Sequence, residues 1–202
     1  MLDTINNNDF ANYLRMHEVW LTNFEEGSGS HQIVLVEKKL VGLELDGHNL
    51  TGAIMSRCRF VNCTFINCDL IGVNFIHSSF ENCAMLSSNL NKIELDSAYC
   101  VGIDLANSNV SQADLYDTIL MHANLANCDL RGAEIFGTDL RYANLENVNL
   151  DYARCSAAKI YNTTKFKPKS IEKFTIKDAF LDFSGTENQK SDLDAISYLF
   201  DL

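Results

Sequence analysis

Residues 101 to 150 read VGIDLANSNV SQADLYDTIL MHANLANCDL RGAEIFGTDL RYANLENVNL. The large apolar residues recur every fifth position: Leu105, Val110, Leu115, Leu120, Leu125, Leu130, Ile135, Leu140, Leu145, Leu150. An amphipathic helix repeats at about 3.6 residues and a half-buried strand at about 2, so neither explains the pattern. Followed outward in fives, the series is unbroken from Leu40 through Met55, Phe60, Phe75, Leu90 and Cys100 to Cys155 and Ile160. With about half of residues apolar, such a run has a chance on the order of one in tens of millions.

The other positions of the quintet have characters of their own. Two residues before each large one lies a small residue, as at Ala53, Cys58, Cys63, Cys68, Cys83, Ser88, Ala113 and Ala143. The residue just before is mostly polar, as at Asp69, Asn89, Asp104, Asp114, Asn124 and Asp139. The residue two after is often Gly, Asn or Ser, types that bend the backbone. Each unit is therefore a very short extended piece followed by a corner. No unit can bury its large residue alone, whereas stacked coils can.

Units such as CRFVN, CTFIN, CDLIG, ADLYD, ANLAN, CDLRG and ANLEN resemble the A(D/N)LXX pattern of the pentapeptide-repeat family. The resemblance implies an all-β solenoid: a right-handed quadrilateral β-helix with four repeats to a coil and both apolar series inside. About six coils at the ~4.8 Å strand spacing would make a rod of roughly 30 Å. Because the phase never slips, no projecting loop is expected within the block.

The expected organisation is an N-terminal helical cap and turn (1–30), the repeat block (31–163) and a C-terminal cap with a terminal helix (164–202). Residues 1 to 9 are polar and expected to fray. Phe10, Tyr13, Leu14, His17, Trp20, Leu21 and Phe24 recur at helical spacing, with Asn8 or Asp9 as candidate cap and Gly27 and Gly29 as the stop. Trp20 and Phe24 are expected to pack against the open end of the core. Lys38 falls at an inward position, so regular register is expected only after it. Beyond Ile160 the phase is lost. KFKPKSIEKFTIK (165–177) reads as terminal strands with solvated lysines. SDLDAISYLFDL (191–202) reads as a short amphipathic helix, with Ser191 as cap and Leu193, Ile196, Leu199 and Phe200 on one face. That face either covers the open sheet edge or pairs with a second copy, giving a homodimer.

Composition narrows the function. A net charge of -11 and a pI near 4.8 argue against direct binding of nucleic acid or an anionic membrane. No stretch has the ~20 apolar residues of a membrane span, and the first residues show no leader, so a cytoplasmic protein is expected. The seven cysteines fall in the inward series and read as buried thiols rather than ligands. The C-x4-C-x4-C spacing of Cys58, Cys63 and Cys68 is not a usual zinc pattern. His48 reads as a hydrogen-bonded structural histidine. No phosphate loop, H-E-x-x-H or G-x-S-x-G motif is present, so neither an enzyme nor a cofactor is expected.

Sorting by 20-residue phase places Glu94, Asp96, Asp114, Tyr116, Asp117, Glu134 and Phe136 on one side of the rod. A carboxylate band with exposed rings is a candidate protein-binding face. A second side stacks Asn49, Asp69, Asn89, Asn109, Asp129 and Asn149, a candidate hydrogen-bond ladder. A third places Tyr99, Val101, Ile119 and Met121 together. The expected role is a non-enzymatic scaffold for a protein partner. The resemblance supplies an alternative, since some family members mimic duplex DNA, bind DNA gyrase and confer resistance to quinolones or gyrase-targeting peptides. Residues 40–160 hold 14 Asp/Glu and 7 Lys/Arg. Over the rod that is about one net charge per ~4 Å, against about one per 1.7 Å in DNA, a dilute mimic.

Overall fold

Every fifth residue from Glu37 to Ala157 has a positive φ, between 52° and 73°. These are the corners. Left-handed backbone at the third residue of a turn is what a type II turn requires, and Gly or Asn adopts it at least cost. Many corners close with the turn's own hydrogen bond, as from the Ala53 N–H to the Leu50 carbonyl (2.9 Å) and from Ala123 to Leu120 (3.1 Å). Four corners bring the chain back above itself after 20 residues.

The computed structural model describes residues 2–22, 31–161, 165–177 and 180–182. It is a parallel β-solenoid of about seven turns, with one helix among the described residues. Parallel partners are offset by 20 residues, from Val34↔Ile54 through Phe60↔Phe80 and Asp114↔Glu134 to Asp139↔Lys159. No loop interrupts this register. Beyond Ile160 the phase shifts by one residue and is not lost. Lys165 pairs with Asn144, Ser170 with Asn149, Thr175 with Arg154 and Phe180 with Lys159, all offset by 21. The offset is 20 at Lys159 and 21 from Lys165 on, and strands recur as far as Asp182.

Both inward series are buried, with Leu90 and Leu140 at 0% and 4% exposure. Near the N-terminal end the core is aromatic. Phe60 stacks on Phe80 at 4.8 Å and meets Phe75 edge-on at 5.3 Å. The small series does more than leave room. Ser78, Ser88 and Ser108 are buried, and each hydroxyl bridges the corner one coil below. The Ser108 hydroxyl accepts the Ser88 N–H (3.0 Å) and donates to the Met85 carbonyl (2.6 Å). Ser78 does the same between Cys58 and Met55, and Ser88 between Cys68 and Phe65. Thiols share the habit: Cys58, Cys68 and Cys128 donate to the carbonyls of Leu35, Leu45 and Leu105. Buried donors placed this way satisfy carbonyls that the corner leaves pointing inward.

The N-terminus departs from expectation. Residues Thr4–Asn6 do not fray but form a strand, β1, followed at once by helix α1 (Asn7–Thr22). β1 pairs with β2 (Lys39–Val41) on the open edge of the first coil, burying Ile5 against the core. The cap is Asn6, not Asn8 or Asp9: its Oδ1 accepts the N–H groups of Asn8 (2.9 Å) and Asp9 (3.1 Å). Strand and helix thus share one residue at their junction, which the helical spacing could not show. Lys38 is accommodated because its Nζ reaches outward to Asp3 (2.7 Å), so the coil is regular from Ile33 onward.

Phe10, Leu14 and His17 are the buried residues of α1. Trp20 is not buried as expected; it keeps 36% exposure and lies over the His17 ring at 5.3 Å. Phe24 and the segment 191–202, with Leu193, Ile196, Leu199 and Phe200, lie outside the described residues. His17 Nδ1 accepts the Ile33 N–H at 3.0 Å. Burial lowers the pKa of this ring, although the Leu50 and Thr51 carbonyls favour its proton. His48 Nδ1 meets Glu18 Oε1 at 3.0 Å, tying helix to coil.

Candidate functional site

The corner geometry fixes which side chains can form a surface. In each quintet the residues flanking the large one point outward, and residues 20 apart stand about 4.8 Å apart on one wall. On the wall through Leu95, Leu115 and Ile135, one column runs Asn74, Glu94, Asp114, Glu134, Arg154 as successive parallel partners. The neighbouring column carries Asp96, Tyr116 and Phe136. All seven sequence-derived residues are therefore on one wall or its bounding corner.

Their chemistry divides along the rod. Glu94 accepts a hydrogen bond from Asn74 Nδ2 (2.6 Å), and Asp96 accepts the Tyr116 N–H (3.2 Å). Among the described residues no basic side chain pairs with Glu94, Asp96 or Asp114. Partial burial, then the carboxylates of Asp114 and Asp96, hold the Glu94 pKa above its usual value. Asp114 is likewise raised by partial burial, then by Asp96 and Glu134. Further along, the charge is neutralised. Arg154 Nε donates to both oxygens of Glu134 (2.7 and 2.9 Å), and its guanidinium lies 5.9 Å from the centre of the Phe136 ring. Tyr116, 41% exposed, stacks on Phe136 with ring centres 5.0 Å apart and planes 18° apart. Asp117 occupies the corner below Gly137, where any Cβ would run into the Asp117 carboxylate. The wall thus offers three unneutralised carboxylates, then a ring pair, then an ion pair.

Sequence reading missed Arg154 and Asn74 because it followed the column over three coils only. The 20-residue phase that found Glu134 puts Arg154 directly after it.

The other walls differ. The amide column is a mixed structure. Asn109 donates to Asn89 at 3.0 Å and Asn89 to Asp69 at 3.4 Å. Asn49 and Asn149 instead accept the N–H two residues on, and Asp129 is held by Arg131. A second ladder runs Asn144, Asn124, Asp104 (3.1 and 3.0 Å). Tyr99 is 53% exposed beside half-buried Val101, Ile119 and Met121. This patch is bounded by Arg141, which reaches Met121 Sδ and Asp139. A cleft lies between α1 and the entry to the rod, lined by Tyr13, Met16, His31 and Ile33. Among the described residues no three His, Cys, Asp or Glu side chains form a metal-binding group, and no helix is long and apolar enough to cross a membrane.

A filled parallel solenoid whose side chains are sorted by a five-residue period defines a β-helical repeat protein. The family follows from the repeat itself. The profile described as "Pentapeptide repeat region" matches residues 53–135, and that described as "Pentapeptide repeats (8 copies)" matches residues 136–164. The chain belongs to the pentapeptide-repeat family. Solved structures with similarity include HetL, a pentapeptide repeat protein involved in heterocyst differentiation regulation from the cyanobacterium Nostoc sp., at 17% identity over 91% of this chain and 100% of that one, TM-score 0.32. Full-length QnrB1, a plasmid-mediated fluoroquinolone resistance protein, is 15% identical over 71% of this chain and 92% of its own, TM-score 0.29. Rfr23 from the cyanobacterium Cyanothece is 23% identical over 57% and 86%, TM-score 0.22. No curated protein matches the sequence.

Proposed function

We propose that the protein is a non-enzymatic scaffold that binds a basic protein partner through the wall bearing Glu94, Asp96, Asp114, Tyr116 and Phe136. The observation that carries this reading is the stacked pair of exposed Tyr116 and half-buried Phe136, beside carboxylates that have no basic partner among the described residues. Like charges held partly buried are strained in the isolated protein. An incoming Lys or Arg relieves that strain, and a flat aromatic pair supplies apolar contact at low entropic cost. Free buried thiols at all seven cysteines suit the cytoplasmic location that belongs to this reading.

The DNA-mimic function is its more specific form. Against it, Arg131, Arg141 and Arg154 each cover a wall carboxylate, which thins an already dilute charge array. A gyrase supercoiling assay with and without a quinolone decides between them. Unchanged gyrase activity at micromolar protein removes the mimic and leaves the general scaffold. Any partner obtained by affinity capture is then tested against Tyr116→Ala and Asp114→Lys, with Asp69→Asn on the amide wall as control. Selective loss with the first two supports the assigned wall. Equal retention by all three overturns it. Sedimentation of the full chain tests the accompanying homodimer through the C-terminal segment.

A further inference from the structure

Cys63 and Cys83 are the one pair among the seven cysteines that falls 20 residues apart, at the same inward position of adjacent coils. The backbone holds them together: the Ala84 N–H donates to the Cys63 carbonyl (3.1 Å), and the Asn62 N–H to the Glu81 carbonyl (2.9 Å). The Cys63 N–H points at Cys83 Sγ, 3.4 Å away. This is the place where Ser78, Ser88 and Ser108 put a bridging hydroxyl. The thiol completes the bridge poorly, because Cys83 donates instead to the Glu81 carbonyl (3.4 Å) in its own coil. Coil spacing of about 4.8 Å lies inside the Cα separations of about 4.4–6.8 Å that a disulfide spans.

We propose that Cys63 and Cys83 form a reversible disulfide that staples the two coils when the protein meets a peroxide. Hydrogen peroxide oxidises the Cys63 thiolate to a sulfenic acid and releases hydroxide. The Cys83 sulfur then displaces the sulfenic oxygen, its proton leaving with that oxygen as water. Two thiols and one peroxide thus give one disulfide and two waters, and dithiothreitol reverses the change. The Cys83 sulfur at its side lowers the pKa of Cys63 against the cost of burial. Elsewhere burial dominates and pushes Cys128 and Cys155 up to about 12. Within the pair, Cys63 is the thiol with the lowered pKa and is taken as the first to react. Both groups are almost fully covered, so the reaction is limited by coil breathing and is slower than that of an exposed thiol.

The test is mass spectrometry of the full chain after millimolar hydrogen peroxide in native buffer. The expected result is loss of two hydrogens, regained with dithiothreitol. Cleavage after Glu81 under non-reducing conditions then links the fragment carrying Cys83 to the one carrying Cys63. Cys63→Ser and Cys83→Ser abolish the mass change; Cys58→Ser and Cys68→Ser keep it. Serine already fills the equivalent inward place at 78, 88 and 108, so these variants are expected to fold, and circular dichroism checks this. The oxidised protein melts at a higher temperature than the reduced one. No mass change, a link through Cys58 or Cys68, or a link formed only after denaturation overturns the proposal.

Discussion

Replacing Ser108 by Ala tests the bridged corner. The hydroxyl is 2% exposed and serves two buried backbone groups, the Ser88 N–H at 3.0 Å and the Met85 carbonyl at 2.6 Å. Alanine fits the site sterically, since Ala fills the same inward position at 98, 113, 123 and 143. The loss is therefore polar. If the corner holds its shape, a buried donor and acceptor are stranded, at a cost of about 1–3 kcal/mol for such a group. If the corner relaxes to the direct turn bond seen at Ala53 and Ala123, the loss falls toward the ~1 kcal/mol of one net hydrogen bond. The expected destabilisation is about 2 kcal/mol. It is measured by urea denaturation as a lower midpoint with an unchanged slope. Ser97→Ala, at an exposed corner, is the control and should change stability by less than about 0.5 kcal/mol. Ser108→Thr should lose less than Ala, because Thr118 and Thr138 donate to the matching carbonyls of Leu95 and Leu115. A Ser108→Ala midpoint indistinguishable from wild type would refute the bridging argument.

Asn6→Ala removes the side chain that accepts two helix N–H groups and should cost about 1 kcal/mol, read by denaturation. Asp114 has a raised folded pKa, so its charge opposes folding at neutral pH, and the deficit disappears as pH falls through that value toward 3.8. Asp114→Asn should gain a few tenths of a kcal/mol at pH 7, with no advantage left in acid. Asp139 behaves oppositely. Burial raises its pKa, but Arg141 and then Lys159 outweigh this, so the folded value is lowered. Its contribution is present above 3.8 and lost as pH falls through the lower folded value. Asp139→Asn should therefore cost about 1–3 kcal/mol at pH 7 and converge with wild type below that range, as a denaturation series across pH will show.

The period of five by itself determined the solenoid, the inward series and the corners. It could do so because every quintet meets the same environment, so one local rule applied from Leu40 to Ile160 becomes the architecture. The wall carrying Glu94, Asp114, Tyr116 and Phe136 was legible once the family resemblance set four quintets to a coil, since phase in 20 is then position around the rod. What the tertiary structure alone decided depends on single contacts between coils. Arg154 neutralises Glu134; Ser108 mends a corner formed by Met85 and Ser88; Asn6 ends a strand and caps a helix in one residue. The register past Ile160 continues at an offset of 21 in place of 20. A repeat specifies what all its copies share, whereas a hydrogen bond or ion pair needs a particular side chain to reach a particular atom in the next coil.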